Sequence, residues 1–338
     1  MSLAEARRIL EICAVCNYCN GFCEAFRAVE KRRSFGEGDI VYLAHLCHNC
    51  GNCLQACQYA PPHPFAVNVP KTLAEVRRTS WRDRRWLALI PVVAIPALTL
   101  ALVPWSILFQ RHAGSGAFYA VLPWSMMVVV AAVPFVLSLA ILAARMAEFW
   151  RGSGGGAAWN AAPAAIGDAV LLRNLEGGGR PCEQGRARRL FHSALFLGFM
   201  LCFAATLVAT VYHHALGWLA PYPFLSLPVL LGTAGGIGMI AGSAGLAWLK
   251  ANADPELDAQ PKSYFFLALL FAVAFSGFAL LAFRDTAVMG LLLVTHLGLV
   301  AGLFATFPYG KFAHAPYRAV ALLRAAMERR GKSASGKV

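Results

Sequence analysis

Residues 13–23 read CAVCNYCNGFC and residues 47–57 read CHNCGNCLQAC, so one cysteine spacing occurs twice near the start of the chain. Each run has the pattern C-x2-C-x2-C-x3-C. This pattern is typical of ferredoxins with two [4Fe-4S] clusters, in which three close thiolates bind one cluster and the fourth binds the other. The rule predicts two sets of cysteines that cross between the runs. The first cysteine set is Cys13, Cys16, Cys19 and Cys57, and the second cysteine set is Cys47, Cys50, Cys53 and Cys23.

Zinc is the alternative metal for these cysteines. Structural zinc sites usually join two separated C-x2-4-C pairs. Here each run places four cysteines within eleven residues, so the spacing favours iron and sulfur. The nearby His45, His48 and His63 are expected to lie behind the cysteines or in solvent, without binding iron.

The segment between the two runs predicts helices. Its sequence, EAFRAVEKRRSFGEGDIVYLAHL, has helical periodicity, with a break at Gly36 and Gly38 and a new start near Asp39. Bacterial ferredoxin runs usually have proline after the fourth cysteine, but Glu24 and Gln58 occupy those positions here. These features predict an all-helical ferredoxin-like domain, similar to the modules of fumarate reductases and heterodisulfide reductases.

The chain as a whole has the composition of a membrane protein. Of its 338 residues, 58% are hydrophobic and 14% are charged. A helix needs about 20 apolar residues to cross a membrane, and six stretches approach this length: 86–109, 123–144, 190–212, 224–249, 264–283 and 286–307. We therefore predict an all-α protein with two main parts. They are a two-cluster iron-sulfur domain (1–85) and a six-helix transmembrane bundle (86–309) with a cytoplasmic loop (145–189), followed by a cytoplasmic tail (310–338).

The basic residues are distributed unevenly between the connections. Of the 30 Lys and Arg residues, 28 lie before span one, between spans two and three, between spans four and five, or after span six. Lys and Arg accumulate on the cytoplasmic side of membrane proteins, so both termini and the iron-sulfur domain are predicted to be cytoplasmic. Structural disulfides are rare in that reducing compartment. The same distribution explains the net charge of +13 without nucleic acid.

Histidines in the spans are candidate ligands for b-type haem, because ionisable residues inside a membrane are costly and haem iron takes axial imidazoles. Five are suitably placed: His192, His213, His214, His296 and His314. His296 and His314 are 18 residues apart, about five turns of a straight helix. His192 lies about six turns from His213 or His214.

Spans three and six run in opposite directions, which predicts how these histidines pair. His192 is expected to face His314 on the cytoplasmic side, and His296 is expected to face His213 or His214 in the outer half. The bundle would then hold one or two haems. Pro308 predicts a kink before His314, which would weaken the argument from helical turns.

Span four contains two pairs of glycines. In GTAGGIGMIAG, the pattern G-x-x-x-G joins Gly232 to Gly236 and Gly238 to Gly242. Such pairs let membrane helices or a flat macrocycle approach closely. The run is not a nucleotide-binding loop, because no strand precedes it, and no other motif would bind flavin or a nicotinamide. A soluble flavoprotein partner is therefore required.

Several further stretches carry a family resemblance. They are LLRNLEGGGRPC (171–182), ATLVATVYHH (205–214), APYPFLSLPVLLGTAGGIGMIAGSAGLAWLK (220–250), RDTAVMGLLLVTHLGLV (284–300) and PYGKFAHAPYR (308–318). With the cysteine runs, they make nearly the whole chain resemble the tricarballylate utilisation protein B family, also known as citrate utilisation protein B. Within this resemblance, VYHH and KFAH favour His213 and His314 as haem ligands, alongside His192 and His296.

The resemblance implies a protein of the bacterial inner (cytoplasmic) membrane. It implies that the protein reoxidises the flavin of an FAD-dependent dehydrogenase acting on tricarballylate or a similar acid. Electrons would then pass through two [4Fe-4S] clusters and b-type haem to membrane quinone. On this interpretation the chain is the electron-transfer component of an oxidoreductase complex and is not itself the substrate dehydrogenase.

Two alternatives remain open at this point. A heterodisulfide-reductase-like membrane subunit would keep the clusters and haem but serve a thiol-reducing partner. A carboxylate transporter with a metal-binding domain is disfavoured, because the spans contain almost no charge and no paired broken helices to hold an anionic substrate.

Overall fold

The computed structural model describes residues 3–80, 85–156, 159–171, 185–252 and 264–335. Within these ranges the chain forms helices and no strand, which confirms the predicted all-α class. The α-helices are α1 (Leu3–Cys16), α2 (Glu24–Val29), α3 (Glu37–Leu46), α4 (Asn52–Gln55), α5 (Val69–Ser80), α6 (Arg85–Leu102), α7 (Trp105–Leu108), α8 (Ala117–Val121), α9 (Trp124–Gly152), α10 (Ala162–Val170), α11 (Gly185–Leu216), α12 (Leu227–Ala251), α13 (Tyr264–Ala282), α14 (Met289–Thr306) and α15 (His314–Ser335).

Helices α1 to α5 form the N-terminal domain. Helix α1 buries Ala6, Ile9 and Leu10, which have the spacing of one helix face. Asn17 and Gly51 each lie four residues after the first cysteine of a run and adopt left-handed backbone conformations, with φ angles of 57° and 86°. Asparagine and glycine tolerate this region best. The resulting turns reverse the chain within each run, so that cysteines on both sides of a turn can face the same space.

Five described helices are long and apolar enough to cross a membrane: α9, α11, α12, α13 and α14. They correspond to the second to sixth predicted segments. The first predicted segment, 86–109, forms α6 and then the short α7, which follows Pro104. The apolar helical part of this segment is Val92–Leu102. The structure thus supports five candidate spans, and the first predicted span stays a prediction.

Helices α11 and α12 lie in close contact along their glycines. A Cβ atom added to Gly235 would lie 2.7 Å from the carbonyl oxygen of Gly198, and one added to Gly242 would lie 2.7 Å from that of Phe191. These distances confirm the close helix approach predicted from the glycine pairs. Because His192 follows Phe191, this contact also fixes the position of His192.

We expect Gly242→Ala to lower the thermal stability of the detergent-solubilised protein, because the new methyl group must displace the backbone of α11. Overpacking of this kind costs about 1–3 kcal/mol. The matched control is Gly232→Ala on the same helix, whose added Cβ would lie 3.8 Å from the Ala205 Cβ, an ordinary contact. Equal melting temperatures for the two variants would contradict the close approach at Gly242.

The expectation that His296 and His314 share one straight helix is wrong. Helix α14 ends at Thr306, whose carbonyl accepts the Gly310 N–H at 2.8 Å. A short 3₁₀ turn, Lys311–Ala313, then leads into α15. Pro308 has no N–H with which to continue the helix. His314 is therefore placed by the start of α15, not by helical register with His296.

Helix α15 packs against α3 and α10. Arg32 forms an ion pair with Glu328 at 2.5 Å, and Arg324 forms an ion pair with Asp39 at 3.0 Å. The described part of the predicted tail thus docks onto the iron-sulfur domain. In the predicted cytoplasmic loop, residues 172–184 lie outside the described residues. They include most of LLRNLEGGGRPC (171–182), one of the stretches that carry the family resemblance.

Candidate redox-cofactor sites

The first cysteine set surrounds one small cavity. Its lining includes Cys13, Cys16, Cys19 and Cys57, together with Ile12, Tyr18, Phe26, Gln58, Tyr59 and Val67. Burial raises the pKa of Cys13 to about 12, and the neighbouring cysteines act in the same direction. Burial likewise raises the pKa of Cys19 to about 11. These thiols are therefore protonated at neutral pH until a metal displaces the protons.

The second cysteine set surrounds a second small cavity. Its lining includes Cys23, Cys47, Cys50 and Cys53, together with Phe22, Ala25, Phe26, His48, Gly51, Asn52, Val69, Pro70 and Leu73. Phe26 lines both cavities, so it lies between the two sets. Burial and the nearby Cys47 raise the pKa of Cys23 to about 12.

Each cavity thus brings together three cysteines of one run and the fourth cysteine of the other run. This is the crossed grouping that the ferredoxin spacing predicts. Among the described residues, no group of three or more His, Cys, Asp or Glu side chains is placed to hold a single metal ion. Zinc would need its four thiolates within about 4.6 Å of one another, because each lies about 2.3 Å from the metal.

The three histidines near the cysteines lie in different surroundings. His48 lines the second-set cavity, and its pKa is lowered by burial and then by Arg318. His45 is buried and stacks on Tyr317, with ring centroids 4.4 Å apart. His63 accepts the Phe65 N–H at 3.1 Å through Nδ1. The prediction that none of them binds iron stays a prediction.

His192 and His314 face each other across an inner cavity of about 590 Å³. Their ring centroids are 6.1 Å apart and the rings are perpendicular. Nδ1 of His314 donates to the carbonyl oxygen of Lys311, which leaves Nε2 for another partner. Burial lowers the pKa of His314 to about 4, so its imidazole is neutral and keeps a lone pair. Nδ1 of His192 is buried without a hydrogen-bond partner among the described residues.

The inner cavity suits b-type haem in its charge as well as in its histidines. Four cationic side chains line it: Arg77, Arg188, Lys250 and Arg318. Haem carries carboxylates, which arginine and lysine bind through charge-assisted hydrogen bonds. Apolar side chains, including Phe196, Leu246 and Leu249, complete the lining. The residues present therefore fit b-type haem: His192 and His314 would hold its iron, and cationic side chains of the lining would hold its carboxylates.

The inner cavity also reaches the second cysteine set. Cys47 and His48 line it as well. Arg318 donates to the carbonyl oxygens of Leu46 at 3.3 Å and Cys47 at 3.5 Å, and it contacts both ring nitrogens of His48. A continuous series of contacts therefore runs from the loop of the second cysteine set to the histidine pair.

The other three predicted histidines lie toward the opposite end of the spans. His296 lines an outer cavity of about 380 Å³ between α11, α12, α13 and α14, and its Nδ1 lies 2.9 Å from the Ser276 hydroxyl. His213 stacks on Trp124 with centroids 4.9 Å apart, and His214 meets the same ring edge-on. Of the five predicted histidines, all of which are described, His296 alone lines the outer cavity.

Comparison with known proteins connects these sites to a family. Residues 78–335 match the family described as "Citrate utilization protein B", and residues 6–83 match its "Fer4-like domain". The chain belongs to the citrate utilization protein B family. A curated relative from Escherichia coli, "Citrate utilization protein B", is 46% identical over 359 residues, which cover 98% of this chain and 94% of the relative. No solved structure matches the chain.

The family assignment confirms the resemblance inferred from the sequence, and the Fer4-like domain coincides with the domain that carries both cysteine sets. In this member of the citrate utilization protein B family, sequence analysis missed Arg318, Arg77 and Ser276. Arg318 lies four residues after His314, on the same face of α15. This four-residue spacing from His314 was the one feature of the sequence that could have indicated a role for Arg318. Nothing in the sequence relates Arg77 to Cys47 or Ser276 to His296, because folding alone brings them together.

Proposed function

We propose that this protein is a bacterial inner-membrane electron-transfer subunit. It accepts electrons from an FAD-dependent dehydrogenase that acts on tricarballylate or a similar acid, and it delivers them to membrane quinone. The family assignment and the Fer4-like domain support an iron-sulfur electron-transfer role. The partner dehydrogenase, the haem and the quinone are parts of the proposal that go beyond this family assignment.

One observation carries the proposal: the inner cavity is lined both by Cys47 of the second cysteine set and by the facing pair His192 and His314. Two [4Fe-4S] clusters and a b-type haem supply one-electron carriage when bound. The two cysteine sets would hold the clusters, and His192 and His314 would hold the haem iron. The haem carboxylates would be held by Arg188 and Lys250, which line the same cavity.

The first cysteine set is the natural entry point for electrons. Val15 and Tyr18, which lie between its cysteines in sequence, are 83% and 56% exposed. Phe65 is also exposed and packs with Tyr59, which lines the same cavity. This apolar surface would let a flavoprotein bring its flavin close to the first cysteine set.

The outer cavity has the character of a quinone site. Ligand cavities are mostly apolar with a few placed polar groups, and here Phe203, Phe278 and Phe304 surround a single imidazole, His296. Ser276 orients that imidazole, which could hydrogen-bond a quinone oxygen. The one arginine in the lining, Arg284, already donates to the Tyr222 carbonyl at 2.6 Å. The haem pairing of His296 with His213 or His214 stays a prediction.

The experiment that tests the proposal is a dithionite-reduced-minus-oxidised optical spectrum of the purified protein. Iron, acid-labile sulfide and pyridine haemochrome are quantified on the same sample. We expect about eight cluster irons and one or two b haems per chain. Zinc without sulfide or haem would contradict the proposal and favour the transporter.

We expect His296→Ala to slow electron transfer from the reduced protein to a soluble quinone analogue about tenfold, the effect of losing a hydrogen bond worth about 1.4 kcal/mol. Haem and iron contents should not change. The control is His112→Ala, because His112 also lies outside the cavity lining and is not a candidate haem ligand. Loss of half of the haem from the His296 variant would instead support the outer haem pair.

A further inference from the structure

We propose that Arg318, together with Arg77, raises the reduction potential of the cluster at the second cysteine set above that of the cluster at the first. Electrons would then move inward, from the exposed first set toward the inner cavity. This inference rests on the proposed function, since it requires iron-sulfur clusters at both cysteine sets. It adds an order of the two cluster potentials and names the residues that impose it.

The two arginines lie against the backbone of the second cysteine set. Arg318 donates to the carbonyl oxygens of His45 at 3.4 Å and of Cys47 at 3.5 Å. Arg77 donates to the same Cys47 carbonyl from α5. Two guanidinium groups from distant parts of the chain therefore converge on a cysteine of the second set.

The charge of Arg318 persists at neutral pH and is poorly screened. Arginine stays protonated in proteins at neutral pH. Arg318 is half-buried and donates to the Cys47 carbonyl, so its charge lies beside a cysteine of the second set. A charge held away from solvent acts more strongly on its neighbours than an exposed one.

The first cysteine set has different surroundings. Apart from the cysteines, its cavity is lined by apolar or neutral side chains. The nearby cation Arg33 donates to the Ala14 carbonyl at 3.4 Å, but its side chain is exposed and water screens it. Glu11 is exposed as well. The first set therefore lacks a counterpart to the Arg318 and Arg77 pair among its described neighbours.

Acidic groups near the second set do not neutralise the positive charges of Arg318 and Arg77. Glu24 follows Cys23 and is buried, but it is ion-paired with Arg329 and with Arg27. The Asn49 N–H donates to the Cys47 sulfur at 3.4 Å, and such hydrogen bonds also influence the potential of a cluster. Asp168, which lines the inner cavity, is likewise ion-paired, with Arg329. Arg318 and Arg77 are the charged groups that donate directly to the Cys47 carbonyl.

The charge change on reduction links these arginines to the potential. A cluster gains one negative charge when it accepts an electron, so fixed positive charge nearby stabilises its reduced form and raises its potential. An electron entering at the first set is then held more tightly at the second. Because Arg318 also lines the inner cavity, the favoured position is the one next to His192 and His314.

The test is a redox titration, monitored by electron paramagnetic resonance, of the full-length protein in detergent, after iron and sulfide have been quantified. The Cys57→Ser protein, which keeps the second set intact, assigns the second-set signal. In the wild type we expect the second-set potential to be the higher of the two. In Arg318→Gln we expect the reduction equilibrium of the second set to fall about tenfold, or 59 mV for one electron, with the first set unchanged.

Two variants control for a merely structural role. Arg318→Lys keeps the charge and should retain most of the potential, although its hydrogen bonds differ. Arg33→Gln removes an exposed arginine beside the first set and should leave both potentials unchanged. If Arg318→Gln fails to assemble clusters, Arg77→Gln is titrated in the same way, and a downward shift of the second set is again expected.

The outcomes separate this inference from the proposed function. Two assembled clusters with the second set at the lower potential, or with its potential unmoved in both glutamine variants, would overturn the inference and leave the proposed function intact. Loss of haem from Arg318→Gln without a shift in either cluster would likewise overturn it and would make Arg318 a haem anchor. A wild-type protein without iron and sulfide would overturn both.

Discussion

Replacing His192 with alanine will remove the low-spin b-haem spectrum from the purified protein. The His192 ring faces that of His314 at a centroid distance of 6.1 Å, and the buried Nδ1 of His192 has no partner among the described residues. His192→Ala would remove one of the two imidazoles that would hold the haem iron. The third imidazole on the cavity lining, that of His48, is already in contact with Arg318. We expect haem, measured as pyridine haemochrome, to fall to a small fraction of the wild-type content.

His314→Ala should have the same effect, because both imidazoles are required. Cluster iron and sulfide should remain at wild-type levels in both variants, which separates loss of haem from unfolding. The control is His112→Ala. Nε2 of His112 lies 3.0 Å from the Ile107 carbonyl oxygen, and His112 does not line the inner cavity. Wild-type haem content in His192→Ala would exclude the inner cavity as the haem site.

The membrane helices could be predicted closely from the sequence. The segment 264–283 corresponds to Tyr264–Ala282, and 224–249 corresponds to Leu227–Ala251. These segments are apolar on all sides, so a local property of the chain determines them. The close contact of α11 with α12 was also predictable, because glycines at four-residue spacing in a membrane helix leave room for the backbone of a neighbouring helix.

The path of the chain to His314 could not be predicted in the same way. Counting helical turns assumes a straight helix, but Pro308 and Gly310 end α14 before the count is complete. His314 nevertheless lies opposite His192, because α15 docks onto the iron-sulfur domain through contacts such as Arg32 with Glu328. The pairing of the two histidines thus depends on tertiary contacts between distant parts of the chain. Arg32 and Glu328, for example, are 296 positions apart in sequence.

The grouping of the cysteines around the two cavities follows from a local feature, their spacing, whereas their binding of clusters stays a prediction. Three cysteines within seven residues can reach one small object, and the fourth then lies too far along its turn to join them. The spacing itself carries the information, and Asn17 and Gly51 supply the turns that it needs. The surrounding charges carry no such local signal. Arg318 reaches Cys47 across 271 positions, and only the folded structure reveals it.

Cys57→Ser will remove the cluster that is held mainly by the other cysteine run. Cys57 belongs to the run at 47–57, yet it lines the cavity of Cys13, Cys16 and Cys19. Losing one of four thiolates should cost that cluster most of its occupancy, whereas the second set keeps all four of its ligands. We expect iron per chain to fall from about eight to about four, and one of the two paramagnetic signals to disappear.

Cys23→Ser is the reciprocal variant, and it decides between crossed and uncrossed sets. Cys23 belongs to the run at 13–23 but lines the cavity of Cys47, Cys50 and Cys53. Cys23→Ser should therefore remove the paramagnetic cluster signal that Cys57→Ser retains. To read this result, each variant is compared with Cys16→Ser. In the crossed arrangement Cys57→Ser and Cys16→Ser lose the same signal, whereas in an uncrossed arrangement Cys23→Ser and Cys16→Ser would do so. In the crossed arrangement each cluster is bound by both runs, and the two sets meet at Phe26, which lines both cavities. Losing Cys23 or Cys57 therefore tests whether the two runs depend on each other for their clusters.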